Sequence, residues 1–191
     1  MKGSRPLKDR EVWATSRKLD ARGRALFMLG ICCGFRISEL LSLRVGDVEQ
    51  HGRLVSAVTV SRKSMKGKIE GRTVPLARIA GKAVAELLKE LRSVRRFLPK
   101  EEFLFMSRKG GALSRVQAWR ILAQAFAVNK MSGKLGTHSM RKTFAAKIYE
   151  RLNRDLLKTQ RALGHRTITS TISYLSFAES DITKAVLDAW G

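Results

Sequence analysis

The stretch that decides the fold is residues 21–43, which read ARGRALFMLGICCGFRISELLSL. Its first part is apolar on nearly every side, a pattern typical of a helix that is buried all round. Gly34 interrupts this helix, and Ser38 is expected to cap a second helix that runs to Leu43. Arg36 therefore lies at a predicted break between two helices.

Outward from this stretch, helical patterns dominate and one short β unit interrupts them. Residues 53–60 and 72–76 are predicted to be antiparallel strands on either side of a lysine-rich turn, with Pro75 at an edge or an end. Helical spacing predicts further helices over residues 79–92, 115–128, 137–149 and 156–163, with Ser114 and Asp155 as the caps of the second and the fourth. The expected fold class is mainly α (α+β), about seven helices with a small antiparallel sheet, in a single domain spanning residues 1–191.

The composition is that of an ordinary globular protein except for its charge. The chain has 38 Lys and Arg residues against 16 Asp and Glu residues, a formal net charge of +22. Such a field attracts nucleic acid, and binding that neutralises phosphates is salt-dependent. The charge therefore favours a nucleic-acid-binding protein. A ribosomal or merely solubilising basic surface is the alternative.

Two features point to a cytoplasmic protein with no membrane contact. The sequence has no apolar run of about 18 residues, and its first residues lack the hydrophobic core of a signal peptide. Cys32 and Cys33 are adjacent, so they cannot form an ordinary disulfide with each other. The simplest interpretation is a pair of reduced thiols in a core.

His138 and Arg141 form the first candidate functional pair. They lie three residues apart on the helix predicted over residues 137–149, so they share a face. A guanidinium can hold a phosphate with two parallel donors while an imidazole bonds a neighbouring oxygen. Taken alone this spacing is weak, because an ion-paired surface arginine and a capping histidine produce it too.

His165 and Tyr174 form the second candidate pair. In one continuous helix, a spacing of nine residues would place them about 180° apart, on opposite faces. They converge only if the helix breaks after His165, and Thr167 can cap a new helix there. The predicted apolar stripe of that new helix consists of Ile168, Ile172 and Leu175. Tyr174 lies off this stripe, which favours a nucleophilic hydroxyl over an ordinary surface tyrosine.

The lysine-rich turn carries Lys63, Lys66 and Lys68. An ammonium group on such a turn can protonate a leaving-group oxygen as a general acid. A solvated run of charge that contacts phosphates non-specifically explains the same three residues equally well. Arg36, with Glu39 close by, is likewise explained on its own by an ordinary charge at a helix end.

The joint order of these motifs is more specific than any one of them. The chain resembles the tyrosine recombinase (phage integrase) family over nearly its whole length. The motifs that carry the resemblance are GFRISELLSL at residues 34–43, KGK and RTVPL within residues 66–76, THSMR at residues 137–141, LGH at residues 163–165, and Tyr174. The resemblance implies the catalytic-domain fold of that family.

The resemblance also implies a role for each candidate side chain. Arg36 and Arg141 would clamp the scissile phosphate of DNA and stabilise its pentavalent transition state, supported by His138 and His165. Tyr174 would attack phosphorus and form a 3′-phosphotyrosyl link, leaving a free 5′-hydroxyl.

A lysine of the turn would protonate that leaving oxygen. Lys66 matches the family's position best, and Lys63 and Lys68 stay open. Because attack by a second 5′-hydroxyl reverses the step, the reaction conserves bond energy and implies no cofactor and no metal. The lack of a carboxylate-rich or Cys/His ligand cluster in the sequence is consistent with this.

Partners follow from the same resemblance. Double-stranded DNA would be the substrate, and the protein would be a monomer in solution and a homotetramer on DNA. Only 35 residues precede Arg36, so we expect the catalytic domain without the family's N-terminal core-binding domain, in a chain that is either naturally short or a fragment. An amphipathic tail helix at residues 181–190 would dock on a neighbouring protomer or pack on its own core.

The predicted function is therefore site-specific DNA recombination through a 3′-phosphotyrosyl intermediate, whether integration, excision or inversion. A type IB topoisomerase, with the same chemistry but no strand exchange, is the nearest alternative. A DNA-binding accessory protein that has lost the chemistry is another. The intact set of candidate residues argues against it, because a binder needs only the positive surface.

Overall fold

A computed structural model describes residues 3–60, 71–95, 97–175 and 186–189 of the chain. The helices are α1 (Asp9–Arg17), α2 (Ala21–Cys33), α3 (Ile37–Leu41), α4 (Val45–Val48), α5 (Arg78–Val94), α6 (Arg115–Val128), α7 (Thr137–Arg151), α8 (Leu156–Leu163) and α9 (Ile168–Ile172). The strands are β1 (Glu49–Gln50), β2 (Arg53–Leu54), β3 (Ala57–Val60) and β4 (Arg72–Pro75). The chain divides into two compact units, residues 1–144 and 145–191.

Helix α2 forms the centre of the first unit. Leu26, Phe27 and Leu29 are completely buried, on different sides of the helix, and α2 packs most extensively against α5. Burying each such side chain stabilises the fold by about 1.5–3 kcal/mol. The prediction of a helix buried on all faces is confirmed.

The break between α2 and α3 is shorter than the sequence predicts. Gly34 adopts the left-handed conformation (φ 61°) that stops α2, and Arg36, rather than the predicted Ser38, is the N-cap of α3. The reason is Glu39, whose carboxylate accepts the Arg36 backbone N–H at 2.6 Å. This arrangement starts the helix at Ile37 and leaves Ser38 inside the first turn.

The segment after α3 contains a further short helix. Residues 46–47 lie inside this helix, α4. The carboxylate of Asp47 accepts the backbone N–H of Arg44 at 2.8 Å, which begins a new turn. Both α3 and α4 therefore begin where a carboxylate accepts the backbone N–H of the residue three positions before it.

The extended region predicted over residues 53–60 is two strands in two different pairs. β1 and β2 form a tight hairpin whose two turn residues, His51 and Gly52, both have positive φ. β3 pairs with β4 in antiparallel register, from Ala57 opposite Pro75 to Val60 opposite Arg72. The predicted antiparallel unit is confirmed, and Pro75 ends its strand as expected. The lysine turn, with Lys63, Lys66 and Lys68, lies outside the described residues.

Helices α6 and α8 begin at their predicted caps. Ser114 accepts the backbone N–H of Gln117 at the start of α6, and Asp155 accepts that of Lys158 at the start of α8. In the second unit, α8 ends at Gly164, which is left-handed (φ 62°). Of the tail predicted as a helix over residues 181–190, the structure describes residues 186–189, which are helical.

The fold class predicted from the sequence, mainly helical with a small antiparallel sheet, is confirmed. The helix count exceeds the predicted figure in the described chain because short helices such as α4 are invisible to a periodicity argument. Across those same residues, no helix has both the length and the apolar character to cross a membrane.

Candidate active site

The turn that follows α2 binds a buried arginine of α7. Arg141 is 1% exposed, and its guanidinium donates a hydrogen bond to the Gly34 carbonyl. Because Arg36 follows Gly34 by two residues, this bond joins Arg141 to the turn from which Arg36 projects. Only glycine fits at position 34, since an added Cβ would lie 2.2 Å from the Phe144 ring. The structure thus ties Arg141 to the turn that carries Arg36.

Arg36 is partly exposed and is oriented by one carboxylate. Its side chain is 32% exposed and its guanidinium donates to Glu39 at 2.9 Å. A guanidinium has five N–H donors in a fork, so one carboxylate does not exhaust its capacity to bind an anion. The arrangement can hold a phosphate while Glu39 keeps the arginine in place.

The first turn of α7 supplies a third candidate, His138. This residue is exposed, whereas Arg141, one turn later, is buried. The two residues are on one helix at the predicted spacing, but they differ strongly in their access to solvent. The start of a helix of this length also presents backbone N–H groups and a positive dipole end, which favour an anion.

His165 and Tyr174 meet in the second unit, as predicted. Their ring centroids are 5.1 Å apart, with ring planes tilted by 53°. The turn at Gly164 ends α8, and Thr167 caps α9 by accepting the Ser170 backbone N–H at 3.4 Å. This break in the helix brings the two rings together.

One part of that prediction is wrong. Ile172, assigned to the apolar stripe of α9, is 42% exposed, and the buried residue of this helix is Thr171. The hydroxyl of Thr171 lies 3.0 Å from Nδ1 of His165, which is itself 8% exposed. Thr171 is buried because its hydroxyl has a hydrogen-bond partner in His165. A pattern of apolar residues cannot predict this.

Arg72 is a buried arginine to which no sequence motif assigns a role. Its guanidinium donates to the carbonyl oxygens of Cys33 at 2.5 Å and Gly34 at 3.2 Å. It also lies over the rings of Phe35 and Phe144, at 5.1 and 5.7 Å from their centroids. The period of two in β4 could have predicted its burial, because Arg72 lies on the same buried face of the strand as Val74.

The cysteines behave as core thiols. Burial, followed by the neighbouring Cys32, raises the pKa of Cys33 to about 12, so the Cys33 thiol stays protonated and is no nucleophile. In the part of the chain that the structure describes, no three His, Cys, Asp or Glu side chains are grouped to hold a metal ion. Lys66 and its two alternatives fall outside that part.

Residues 10–180 match the family model of the phage integrase family. A protein described as "Probable integrase/recombinase YoeC" from Bacillus subtilis is 32% identical over 167 residues, 87% of this chain and 83% of the relative. The tyrosine recombinase XerD of Corynebacterium glutamicum is 32% identical over 156 residues, 82% of this chain but only 48% of the relative. The chain thus spans most of YoeC and about half the length of the Xer relatives.

Solved structures share the fold. The XerA recombinase aligns with a TM-score of 0.78 at 23% identity, covering 100% of this chain and 65% of that chain. The XerH recombinase in a pre-cleavage complex with its difH substrate aligns with a TM-score of 0.69 at 23% identity, covering 97% and 55%.

The fold and the relatives together define the class of integrases and site-specific recombinases. Within that class, the chain belongs to the phage integrase family, the tyrosine recombinases. The predicted family and enzyme class are confirmed.

Proposed function

We propose that this protein cleaves and rejoins double-stranded DNA at specific sites through a covalent intermediate on Tyr174. Arg36 and Arg141 bind the scissile phosphate, and His138 and His165 support them. The four side chains offset the charge that develops on the phosphate oxygens in the transition state.

In the cleavage step, the Tyr174 hydroxyl passes its proton to the neighbouring imidazole of His165, and its oxygen bonds to phosphorus. The bond from phosphorus to the 5′-oxygen breaks, and that oxygen takes a proton from a lysine of the turn, with Lys66 preferred over Lys63 and Lys68. The product is a 3′-phosphotyrosyl link and a free 5′-hydroxyl. Attack by the 5′-hydroxyl of another strand reverses each change, so the reaction uses neither a cofactor nor a metal.

The observation that carries this proposal is the contact between Tyr174 and His165. A tyrosine hydroxyl is a poor nucleophile unless a neighbouring group assists it. A phenol whose ring lies 5.1 Å from a nearly buried imidazole has such a neighbour. An ordinary surface tyrosine would not require this arrangement.

DNA as the partner is supported by charge and by relatives. The net charge of +22 attracts a polyanion, and XerH was solved in complex with its difH substrate. We further propose that residues 1–191 act as one catalytic domain, monomeric in solution and tetrameric on DNA. The tail at residues 181–190 would then dock on a neighbouring protomer.

The experiment is covalent capture from a pool of nicked duplexes of random sequence. After denaturation and digestion of the protein, mass spectrometry identifies the residue that retains DNA. We expect an adduct on Tyr174 that disappears in Tyr174→Phe. Tyr149→Phe is the matched control, because Tyr149 is the only other tyrosine in the chain, and it should retain the adduct.

The outcomes separate the candidate functions. An adduct that persists in Tyr174→Phe contradicts the proposal. DNA binding by the wild type without any adduct indicates an accessory binder instead. Relaxation of supercoiled plasmids without recombinant products, on plasmids that carry two captured sites, indicates a topoisomerase.

A further inference from the structure

Arg72 is a charged side chain that the proposed mechanism does not use, although it is almost completely buried (8% exposed). A buried guanidinium persists only where acceptors compensate for its lost hydration. The acceptors here are the carbonyls of Cys33, the last residue of α2, and Gly34, its C-cap. The final carbonyls of a helix have no partner inside it and carry the negative end of its dipole. Arg72 therefore donates hydrogen bonds to carbonyls that have no partner within α2.

The Gly34 carbonyl is shared between two arginines. It accepts one hydrogen bond from Arg72 and one from Arg141, and a carbonyl oxygen has two lone pairs for this purpose. Rotation of the Gly34 peptide would therefore disturb both bonds and move the backbone that leads to Arg36. Arg72 thus constrains two phosphate-binding side chains through one acceptor.

Two aromatic rings contact this guanidinium. Phe35 belongs to the same turn and Phe144 belongs to α7, and Arg72 makes a cation–π contact with each ring. Its backbone is fixed as well, opposite Val60 in the register of β3 and β4. The sheet, the turn after α2 and the middle of α7 all meet at this one side chain.

We propose that Arg72 is a positioning residue, which holds the Gly34 turn so that Arg36 and Arg141 bind the scissile phosphate in the reactive geometry. This inference rests on the proposed function, since it concerns the same site. The planar fork of arginine is essential to it, because an ammonium group lacks both the fixed geometry of the two donors and the flat face that stacks on aromatic rings.

The test compares Arg72→Lys with Arg24→Lys. Arg24 is a matched control, because it also donates to two backbone carbonyls, those of Ser16 and Leu19, near the opposite end of α2. The measurements are the single-turnover rate of the Tyr174 adduct on a captured duplex, the affinity for that duplex, and the melting temperature. We expect Arg72→Lys to slow cleavage by about 10- to 100-fold with affinity changed less than about threefold, as for a small misplacement of reacting groups.

Arg24→Lys should lower the melting temperature and leave the cleavage rate within about twofold, because it alters packing away from the phosphate-binding pair. A second readout is the coupling with Arg141→Lys. Arg72→Lys and Arg141→Lys should be non-additive in the cleavage rate, since they share an acceptor, whereas Arg24→Lys and Arg141→Lys should be additive. A purely structural role for Arg72 would not produce that difference.

Arg72→Gln, which keeps a planar donor without the charge, replaces Arg72→Lys if the lysine variant is unfolded at the assay temperature. Wild-type cleavage rates in the substituted protein, or additive effects with Arg141→Lys, overturn this inference alone. Absence of an adduct in the wild type overturns the proposed function itself and this inference with it.

Discussion

At the scale of single residues, the orientation of His165 depends on Thr171. The Thr171 hydroxyl lies 3.0 Å from Nδ1 of the imidazole, and Thr171 itself is completely buried. A hydrogen bond at one ring nitrogen determines the tautomer and the direction of the other nitrogen. The imidazole beside Tyr174 is therefore held by a side chain that hydrophobic patterning passes over.

We expect Thr171→Val to lower the rate of adduct formation by up to about tenfold, because valine keeps the shape and removes a hydrogen bond worth about 0.5–1.5 kcal/mol. Thr171→Ser should restore most of the rate. Thr169→Val, at an exposed position of the same short helix, serves as the control and should cleave normally. Wild-type kinetics in Thr171→Val would show that the hydroxyl does not orient His165.

At the scale of elements, the turn after α2 depends on the absence of a side chain at Gly34. A Cβ there would approach the Phe144 ring to 2.2 Å, and the left-handed backbone adds strain to any other residue. Gly52 has a comparable backbone (φ 74°), but no atom lies within 4 Å of an added Cβ. Comparing substitutions at the two glycines therefore distinguishes the cost of backbone strain from the cost of a steric clash.

Gly34→Ala should reduce the free energy of unfolding by about 2–4 kcal/mol, from backbone strain together with overpacking against Phe144. Gly52→Ala should cost only the strain, about 1–2 kcal/mol. Urea denaturation of both variants measures the difference. Equal losses in the two variants would mean that Phe144 moves aside without cost.

Local chemistry explains which elements could be predicted from sequence. The caps at Ser114, Asp155 and Thr167 depend on a side chain bonding a nearby backbone N–H, so they were found directly. The start of α3 differs from the prediction because the Glu39 carboxylate bonds the Arg36 backbone N–H, so the helix begins there without a cap from the Ser38 side chain. Arg72 was missed for a different reason: its acceptors lie 38 and 39 residues away, and no local pattern contains them.

At the scale of the whole molecule, charge and motif order were sufficient to predict the class of protein, but not what holds its N-terminal segment in place. Arg5 donates two hydrogen bonds to Glu11, at 2.6 and 2.8 Å, and also donates to the Ser132 carbonyl at 2.9 Å. The hydrogen bonds from Arg5 are the largest cause that lowers the pKa of Glu11, from 4.5 to about 2.

A carboxylate with a depressed pKa in the folded state stabilises the fold above its unfolded pKa and loses that contribution as the pH falls. The contribution of Glu11 is therefore complete above about pH 4.5 and is lost toward about pH 2. We expect wild type to exceed Glu11→Gln in unfolding free energy by about 1 kcal/mol at neutral pH, since the pair is only partly buried. Urea denaturation at about pH 6 and about pH 3 measures this advantage. An equal difference in unfolding free energy at both pH values would show that the Glu11 carboxylate does not stabilise the fold through its lowered pKa.

The hydrogen bond between Arg141 and Gly34 has a consequence for the order of folding. It joins residues 107 positions apart in the chain, and contacts of such separation form late, because a long loop must close first. During synthesis, the helix that ends at Cys33 and most of the positive charge emerge well before Arg141, and Tyr174 emerges later still. A nascent chain thus gains its attraction for nucleic acid early, and the residues proposed for cutting it are completed only near the end of translation.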